Sequence, residues 1–306
     1  MPRFTLRQME ALLSVAETGS IAQAARQLGL SASAVTGALN ELERALDSTL
    51  TIRRKAHGVT LTPTGVHVAE EARTLMSLSE EIEQSTRGSQ GDVHGRLSIG
   101  SYVSLGPTVL TPLLAEVAGK HPGVEVEFST GSQEQMCQRV LSGDLDLAVA
   151  YDLNLPAGLR TVPLGRFTPH AVLPQNHPLT EQATVSLRQL ASEPMIMLDI
   201  SPSRENTFLL FTAEGITPTI AYRTTDFEVS RSMVGAGLGY AILTQRPAGD
   251  RTYTGQPLEV RRLHPRVRSL DVVMVCNARA RLSRPAAVMM EIAQALPAHV
   301  LHPSDP

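Results

Sequence analysis

The polar side chains between residues 31 and 40 have types and spacing suited to reading the edges of DNA bases. They are hydroxyl and amide groups on the solvent side of a predicted helix: Ser31, Ser33, Thr36 and Asn40. In the major groove such groups donate and accept the hydrogen bonds that distinguish one base pair from another. Ala32 and Gly37, on the same stretch, carry no polar group. We therefore expect few direct base contacts and a larger share of recognition through DNA shape.

Three consecutive basic residues follow, and they are candidates for contact with backbone phosphates. The formal net charge of the chain is −3, but residues 1–60 hold seven basic and five acidic side chains. Phosphate binding depends on local charge rather than on the total, so the cluster Arg53, Arg54 and Lys55 favours contact with the DNA backbone. The alternative interpretation is a solvated basic loop.

The surrounding elements would position both groups. A first amphipathic helix ends at Gly19, and Ser20 is placed to cap the short helix that follows. Gly29 can adopt the left-handed turn that comes next at almost no cost. Ser31 then caps the helix that carries the polar residues. Two alanines in the short helix let the next one pack across it, which predicts a winged helix-turn-helix over residues 1–61.

A long linker helix is predicted over residues 62–87, opening at Thr62-Pro63. Val68, Leu75 and Ile82 recur every seven residues, which indicates a short coiled-coil seam between two subunits. The alternative is a helix packed on its own domain. The glycine-rich polar stretch 88–95 then predicts a hinge.

From residue 96 the pattern changes to alternating strands and helices. The order strand-helix-strand-helix-strand implies a parallel sheet with right-handed crossovers. A second unit of the same kind follows, and the last strand and helix are expected to return to the first. This predicts a two-lobed α/β domain over residues 96–306. Lobe I covers about 96–166 and 267–306, and lobe II covers about 167–266.

A cleft between such lobes is a predicted ligand site, because ligands bind beyond the carboxyl ends of the strands in open α/β sheets. The candidate contacts are polar residues at strand ends and at one helix start: Ser101, Tyr102, Ser132, Ser203, Arg204 and Thr225. A helix that starts at Ser201–Arg204 would offer free N–H groups to an anion, and Arg204 could hold a carboxylate in a bidentate pair. The alternative is that Ser201 only caps the helix and that Arg204 pairs on the surface with Glu205 or a neighbour.

Several other functions are disfavoured. The two cysteines, Cys137 and Cys276, lack metal-ligand spacing, and buried thiols are a commoner interpretation than a peroxide-sensing pair. No apolar run approaches the roughly 20 residues of a membrane helix, and the N-terminus lacks a signal-peptide core, so we expect a cytoplasmic protein. The glycine run at 235–239 is not followed by a phosphate-binding helix. Without a nucleophile elbow, metal triad or phosphate loop, we expect neither an enzyme nor a bound cofactor.

The N-terminal pattern resembles that of LysR-type transcriptional regulators. The matching positions are Gly19-Ser20, Ala24-Ala25, Leu28, Ser31, Ala34, Leu42-Glu43, Leu46, Leu50, Arg53-Arg54, Leu61-Thr62 and Gly65. Further matches in the second half lie at 131–134, 142–148 and 234–240. The chain departs from the pattern at Ala32-Ser33 in place of Gln-Pro, at Thr36-Gly37 in place of Ser-Arg, and at Thr51 in place of an aromatic residue.

The resemblance implies the fold and partners of the family. The fold is α/β with an N-terminal winged helix-turn-helix, a linker helix and a two-lobed, periplasmic-binding-protein-like effector domain. The implied partners are double-stranded DNA, a small-molecule effector, RNA polymerase and other copies of the chain, as a homodimer or homotetramer, with no membrane. The alternatives are a solute-binding protein and a redox-sensing regulator.

Overall fold

In the computed structural model, residues 3–54, 58–85 and 93–295 are described. The N-terminal domain opens with three helices: α1 (Leu6–Thr18), α2 (Ile21–Gln27) and α3 (Ala32–Leu46). Gly19 ends α1 in the left-handed conformation, with φ of 62°. The hydroxyl of Ser20 accepts from the N–H of Gln23 at the start of α2, and Ser31 caps α3 in the same way. The predicted helix-turn-helix is confirmed, together with its turn and caps.

A two-stranded wing and a long helix complete this domain. Strands β1 (Thr51–Arg54) and β2 (Gly58–Leu61) pair antiparallel, and helix α4 (Pro63–Ser85) follows directly. The domain core is aliphatic. Its centre is formed by fully buried residues of α1, α2 and α3 and by the residue that precedes the wing: Leu12, Val15, Ala24, Val35, Leu39, Leu42 and Leu50.

The first half of helix α4 packs within its own subunit, whereas the sequence predicted a seam between two subunits along the whole helix. Ala69 and Ala72 are buried against the core of the same subunit, and Val68 and Leu75 pack against that core as well. The first half of the seam is therefore used within the subunit, as the alternative interpretation has it. Further along, Leu78 is 38 % exposed and Ile82 is 62 % exposed. Apolar surface that a second subunit could cover lies in this second half.

The rest of the chain forms two α/β lobes. Lobe I begins with β3 (Gly95–Tyr102), α5 (Thr111–Lys120), β4 (Val124–Gly131), α6 (Gln133–Leu141), β5 (Leu147–Tyr151) and β6 (Leu159–Phe167). Lobe II contains β7 (His170–Pro174), β8 (Thr184–Val185), α7 (Leu187–Leu190), β9 (Met195–Leu198), α8 (Ser203–Ala213), β10 (Ile220–Thr224), α9 (Phe227–Gly235), β11 (Ala241–Leu243) and β12 (Leu258–Leu263). The chain returns to lobe I with β13 (Leu270–Asn277) and α10 (Arg284–Ala295).

The sheet of lobe I is mixed rather than purely parallel. Its order is β4-β3-β5-β13-β6. The pairs β3–β4 and β3–β5 are parallel, as predicted, but β13 runs antiparallel to both of its neighbours. The parallel arrangement predicted for β3, β4 and β5 is confirmed. No direction was predicted for β13, which runs antiparallel because the chain returns from lobe II at the opposite end of the sheet. Apolar clusters cover both faces of the sheet.

Lobe II also combines both strand directions. Its four-stranded sheet has the order β11-β7-β12-β8, and β9 pairs with β10 in parallel. A bridge between Met195 and Tyr240 joins the two sheets. The chain crosses between the lobes twice, at residues 168–169 and at residues 264–269.

Candidate DNA interface and effector cleft

Helix α3 presents its polar residues on the outside of the N-terminal domain. Ser31, Ser33 and Asn40 are exposed, and Thr36 is half-buried. The hydroxyl of Ser31 caps the helix by accepting from the N–H of Ala34 at 3.1 Å. The same hydroxyl lies 2.9 Å from the hydroxyl of Ser33. Ser31, Ser33 and Asn40 are therefore more accessible than Thr36, and Ser31 also holds the start of the helix.

The wing is tied to α3 by one basic residue. Arg53 donates from Nη2 to the side-chain oxygen of Asn40 at 2.7 Å. Its guanidinium keeps further N–H donors for a phosphate, and the Asn40 amide nitrogen can still donate. Arg54 is the last residue of β1, but its side chain and the whole of Lys55 lie outside the described residues.

Glu43 is a residue of this interface to which the sequence analysis gave no role. Its Oε1 accepts from the backbone N–H groups of Leu50 and Thr51 at 2.8 and 2.9 Å, and from the Thr51 hydroxyl at 3.1 Å. Three hydrogen bonds to one carboxylate oxygen fix the start of the wing against α3. The Leu42-Glu43 pair was visible in the sequence, but the three donors are seven or eight residues away.

Between the lobes, polar side chains meet directly. The hydroxyl of Tyr102, at the end of β3, lies 2.8 Å from the hydroxyl of Ser203, at the start of α8. Tyr102 is buried, and burial raises the pKa of its phenol to about 12. Two of the predicted effector contacts, one from each lobe, are thus hydrogen-bonded to each other.

A second bridge between the lobes involves a residue that sequence reasoning missed. Gln245, buried just after β11, accepts from the Thr108 hydroxyl at 2.6 Å and donates to the Tyr151 hydroxyl at 3.1 Å. The rings of Tyr151 and Tyr102 meet edge to face, with centroids 5.7 Å apart. These contacts join the facing walls of the cleft.

The other predicted contacts lie in different settings. Ser101 is buried, and its hydroxyl donates to the Tyr102 carbonyl. Ser132 caps α6 by accepting from the N–H of Gln135 at 3.2 Å. Thr225 is exposed, one residue before Asp226, the N-cap of α9. None of these three positions takes part in the two bridges between the lobes.

Arg204 forms ion pairs within lobe II. It donates to Asp199 at 3.1 Å and to Glu205 at 2.6 Å, and its side chain is 39 % exposed. Asp199 also accepts from Arg223 at 3.1 Å. Burial raises the pKa of Asp199, but hydrogen bonds from the two guanidinium groups outweigh it, so this pKa lies below its usual range. The two acids balance the two arginines, and the pairing expected in the alternative interpretation is the one observed.

The start of α8 nevertheless retains features of a ligand site. Pro202 is the N-cap, and no side chain caps the helix there. Nearby, the Oε2 atom of Glu205 is buried and has no hydrogen-bond partner among the described residues. A carboxylate oxygen accepts hydrogen bonds, so this atom suits a donor group on a ligand, such as a hydroxyl, and not a second anionic group.

Both cysteines are buried. Burial raises the pKa of the Cys137 thiol to about 11, so it stays protonated at neutral pH and is a poor nucleophile. Within the described parts of the chain, no group of His, Cys, Asp and Glu side chains is arranged to hold a metal ion. Over those same residues, no helix is both long and apolar enough to cross a membrane.

A winged helix-turn-helix joined by a long helix to a two-lobed ligand-binding fold defines the class of effector-controlled DNA-binding regulators. Residues 6–66 match the family described as "Bacterial regulatory helix-turn-helix protein, lysR family", and residues 90–297 match "LysR substrate binding domain". The chain belongs to the LysR family of transcriptional regulators, and residues 90–297 form the effector-binding domain of that family.

Individual relatives agree with this assignment. The uncharacterized HTH-type transcriptional regulator YvbU of Bacillus subtilis is 27 % identical over 95 % of this chain and 98 % of its own. The crystal structure of HinK, a LysR family regulator from Pseudomonas aeruginosa, is 34 % identical over 95 % of this chain and 98 % of its own, with a TM-score of 0.63. The C-terminal domain of a probable LysR family regulator from Rhodococcus sp. RHA1 is 38 % identical over 66 % of this chain and all of its own, with a TM-score of 0.65.

Proposed function

We propose that this regulator binds specific DNA as a dimer through α3 and the wing, under the control of a small organic anion held between the lobes. In this proposal, residues 1–61 bind DNA, 62–87 form the linker and dimer helix, 88–95 are a hinge and 96–306 bind the effector. The regulator would act in the cytoplasm on initiation by RNA polymerase. The observation that carries the proposal is the set of exposed polar residues on α3 beside Arg53.

The DNA contacts divide into two groups. Ser31, Ser33, Thr36 and Asn40 are proposed to read base edges, since they share the outer side of α3. Arg53, Arg54 and Lys55 are proposed to contact phosphates, which positions the helix but carries no sequence information. In a dimer, two α3 helices would enter successive major grooves.

The wing is tested by salt dependence. Fragments selected from random DNA by the full-length protein provide the specific site, and a shuffled fragment provides the reference. Arg53→Ala is expected to weaken binding to both and to reduce the slope of log K against log salt by about one. Arg188→Ala removes the same charge from an exposed site in lobe II and serves as the matched control. An unchanged slope in Arg53→Ala would mean that Arg53 makes no phosphate contact and that the wing is a solvated loop.

The effector proposal rests on the junction of the lobes. Tyr102 and Ser203 form one bridge, so a ligand that replaces their mutual hydrogen bond contacts both lobes at once. Ser101, Ser132 and Thr225 are proposed as further contacts. A change in the lobe angle would alter the spacing of the paired DNA-binding domains, and so the bend of the DNA.

The anionic character of the effector depends on an exchange of partners at Arg204. Its two carboxylate partners already neutralise it, so an effector carboxylate must displace Glu205 or Asp199 from the guanidinium. The uncapped start of α8 supports this exchange, because free N–H groups at a helix start favour negative charge.

The effector test compares carboxylates with their neutral amides. A panel of small organic acids and the matching amides is screened by thermal shift against the full-length protein. We expect an acid to raise the Tm and its amide to leave the Tm unchanged. The rise should be lost in Arg204→Ala. It should be kept in the control variant Arg223→Ala, which removes the other arginine bound to Asp199. Binding of the amide as tightly as the acid would contradict the anionic class.

The two alternatives are less well supported. A redox-sensing regulator needs an accessible thiolate, whereas Cys137 and Cys276 are both buried. A solute-binding protein would not need the exposed polar side of α3. An enzyme is a third possibility. Turnover of the effector, measured alongside DNA binding, would support it.

A further inference from the structure

The two chain crossings between the lobes lie side by side. On the lobe I side, the last paired strand residues before the crossings are Phe167 and Leu270. On the lobe II side they are His170 and Arg262. Between them, the hydroxyl of Thr168 on one crossing lies 2.8 Å from the hydroxyl of Ser269 on the other. We call this region, residues 166–170 and 262–271, the lobe junction.

The lobe junction contains two neighbouring cavities. The first, of about 360 Å³, is lined by both crossings, including Thr168, His170, Arg262, His264 and Arg266. The second, of about 520 Å³, is lined by Arg166, Arg266, Arg268, Ser269 and Asp271. Both volumes lie in the range of about 300–1,000 Å³ that small-molecule sites occupy. Arg266 lines both cavities, so they form one continuous surface.

The charge of this surface is strongly positive. Arg166 pairs with Asp271 at 2.7 Å, which neutralises that arginine. Arg262, Arg266 and Arg268 are exposed, and none of them forms an ion pair with a residue in the described part of the chain. Three uncompensated guanidinium groups thus share one concave surface on a chain whose formal net charge is −3. Such an arrangement lowers the energy of an anion that enters it.

Neutral hydrogen-bonding groups line the same surface. The hydroxyls of Thr168 and Ser269 meet between the crossings, and Thr184 of β8 lines the first cavity. His170 forms a buried wall, and burial lowers the pKa of its imidazole to about 4, so it is neutral at physiological pH. Hydroxyl groups beside guanidinium groups are the donors that phosphate and carboxylate oxygens prefer.

We propose that the lobe junction binds a small anion carrying two or more phosphate or carboxylate groups. Arg262, Arg266 and Arg268 hold its charged groups, and the threonine hydroxyls complete the hydrogen bonds. The site is built from different segments than the effector cleft at Tyr102 and Ser203, so it goes beyond the proposed function. Because the bound anion contacts both crossings, it restrains the movement of one lobe against the other. It therefore gives the regulator a second chemical input.

A nucleic acid strand is the competing occupant of a basic surface. The geometry favours the small anion, because the charges line cavities whose walls include the apolar residues Pro169 and Leu263. A strand needs a groove open along its length and usually stacks its bases on aromatic side chains.

The test titrates pyrophosphate into the full-length protein and follows Tm and calorimetric heat, with ionic strength held constant by sodium chloride. The wild type is expected to show saturable binding and a rise in Tm. In the double variant Arg262→Ala/Arg266→Ala the affinity is expected to fall at least tenfold. The control variant is Arg279→Ala/Arg281→Ala, which removes the same charge from exposed residues beyond the far end of β13. It is expected to bind like the wild type.

Each result decides the proposal. Equal affinity in the two double variants, or a Tm rise that sodium chloride alone reproduces, overturns it. Binding of a single-stranded oligonucleotide that depends on Arg262 and Arg266, without pyrophosphate binding, assigns the surface to nucleic acid instead. If the double variant fails to fold, the exposed single variants Arg266→Ala and Arg268→Ala are each expected to weaken pyrophosphate binding at least threefold. Unchanged binding in both single variants contradicts the site.

Discussion

At the scale of single residues, His170 has the most strongly shifted pKa among the histidines that the structure describes. It begins β7 and is buried, and its Nδ1 lies 3.4 Å from the Thr168 carbonyl oxygen. Its pKa lies at about 4 instead of 6.5, because burial lowers it and the charges of Arg246 and Arg231 lower it as well. The hydrogen bond with Thr168 and the charge of Asp250 oppose this shift, but they are outweighed. Between about pH 4 and pH 6.5, the imidazole is therefore neutral in the folded protein and protonated in the unfolded chain.

This predicts a pH dependence of stability with a definite sign. Below about pH 6.5 the unfolded state binds a proton that the folded state does not, so stability is lost as the pH falls towards 4. The contribution of His170 is about 2 kcal/mol between pH 7 and pH 5. In denaturant unfolding at several pH values, His170→Gln is expected to flatten the dependence by that amount. The exposed His67→Gln is the control, and an unchanged slope in His170→Gln would contradict the buried neutral state.

Single residues also show where sequence reasoning stops. Ser20, Gly29 and Ser31 were predictable, because caps and left-handed turns are decided by neighbours within a few positions. The sequence left two roles open for Arg204, since its partner Asp199 was one of several acids within reach. Gln245 was missed because its partner Thr108 is 137 residues away.

At the scale of elements, the start of α4 is fixed by its close approach to the wing. Thr62 donates its N–H to the Leu50 carbonyl at 2.9 Å, and Gly65 packs directly over the same carbonyl. A Cβ at Gly65 would overlap that oxygen. The oxygen cannot move away without losing its hydrogen bond, so only glycine fits at this position.

Gly65→Ala is accordingly expected to destabilise the protein by about 1–3 kcal/mol through overpacking. Gly37→Ala provides a matched control, because a Cβ there meets no atom within 4 Å. In the interior of α3, that change is expected to stabilise by about 0.5–1 kcal/mol. Thermal and denaturant unfolding of the two variants measures both effects. If Gly65→Ala were as stable as Gly37→Ala, α4 and the wing would have to separate at little energetic cost.

The second half of α4 makes a separate prediction about assembly. Leu78 is 38 % exposed, on the part of the helix beyond the packed alanines. Leu78→Glu is expected to shift the protein from dimer towards monomer and to weaken DNA binding sharply, because one half-site offers few contacts. Sedimentation at several concentrations measures the shift. Thr64→Glu adds the same charge in the exposed first turn and is expected to leave the dimer intact. A wild-type sedimentation profile for Leu78→Glu would contradict this role of the helix.

Most elements of the fold could be predicted from periodicity, but β6 could not. It contains Pro163 and Gly165 and lacks a regular alternation of buried and exposed residues. An edge strand tolerates proline because one of its sides needs no hydrogen-bonded partner, and β6 is the edge of the lobe I sheet. Its place beside β13 depends on the return of the chain from lobe II, which local sequence does not encode.

At the scale of the whole molecule, the DNA-binding domain is attached to the effector domain by more than the covalent chain. Arg73 of α4 donates to the Ser142 carbonyl and to the carboxylate of Asp144 in lobe I. Gly143, with φ of 79°, lies between these two acceptors and lets the Arg73 side chain approach. Arg73 thus links lobe I to α4, and α4 carries the domain that contains α3. In the function proposed above, this contact is the route by which a movement of lobe I would reach the DNA-binding domain.

The central claim, that α3 reads the sequence of DNA, is tested most directly by one binding comparison. Affinities of the wild type, Ser33→Ala and Thr36→Ala are measured at one salt concentration on the selected fragment and on its shuffled counterpart. Each variant is expected to lose about 1–3 kcal/mol on the selected fragment and much less on the shuffled one. A loss of equal size on both fragments, or no loss on either, would contradict base reading by α3.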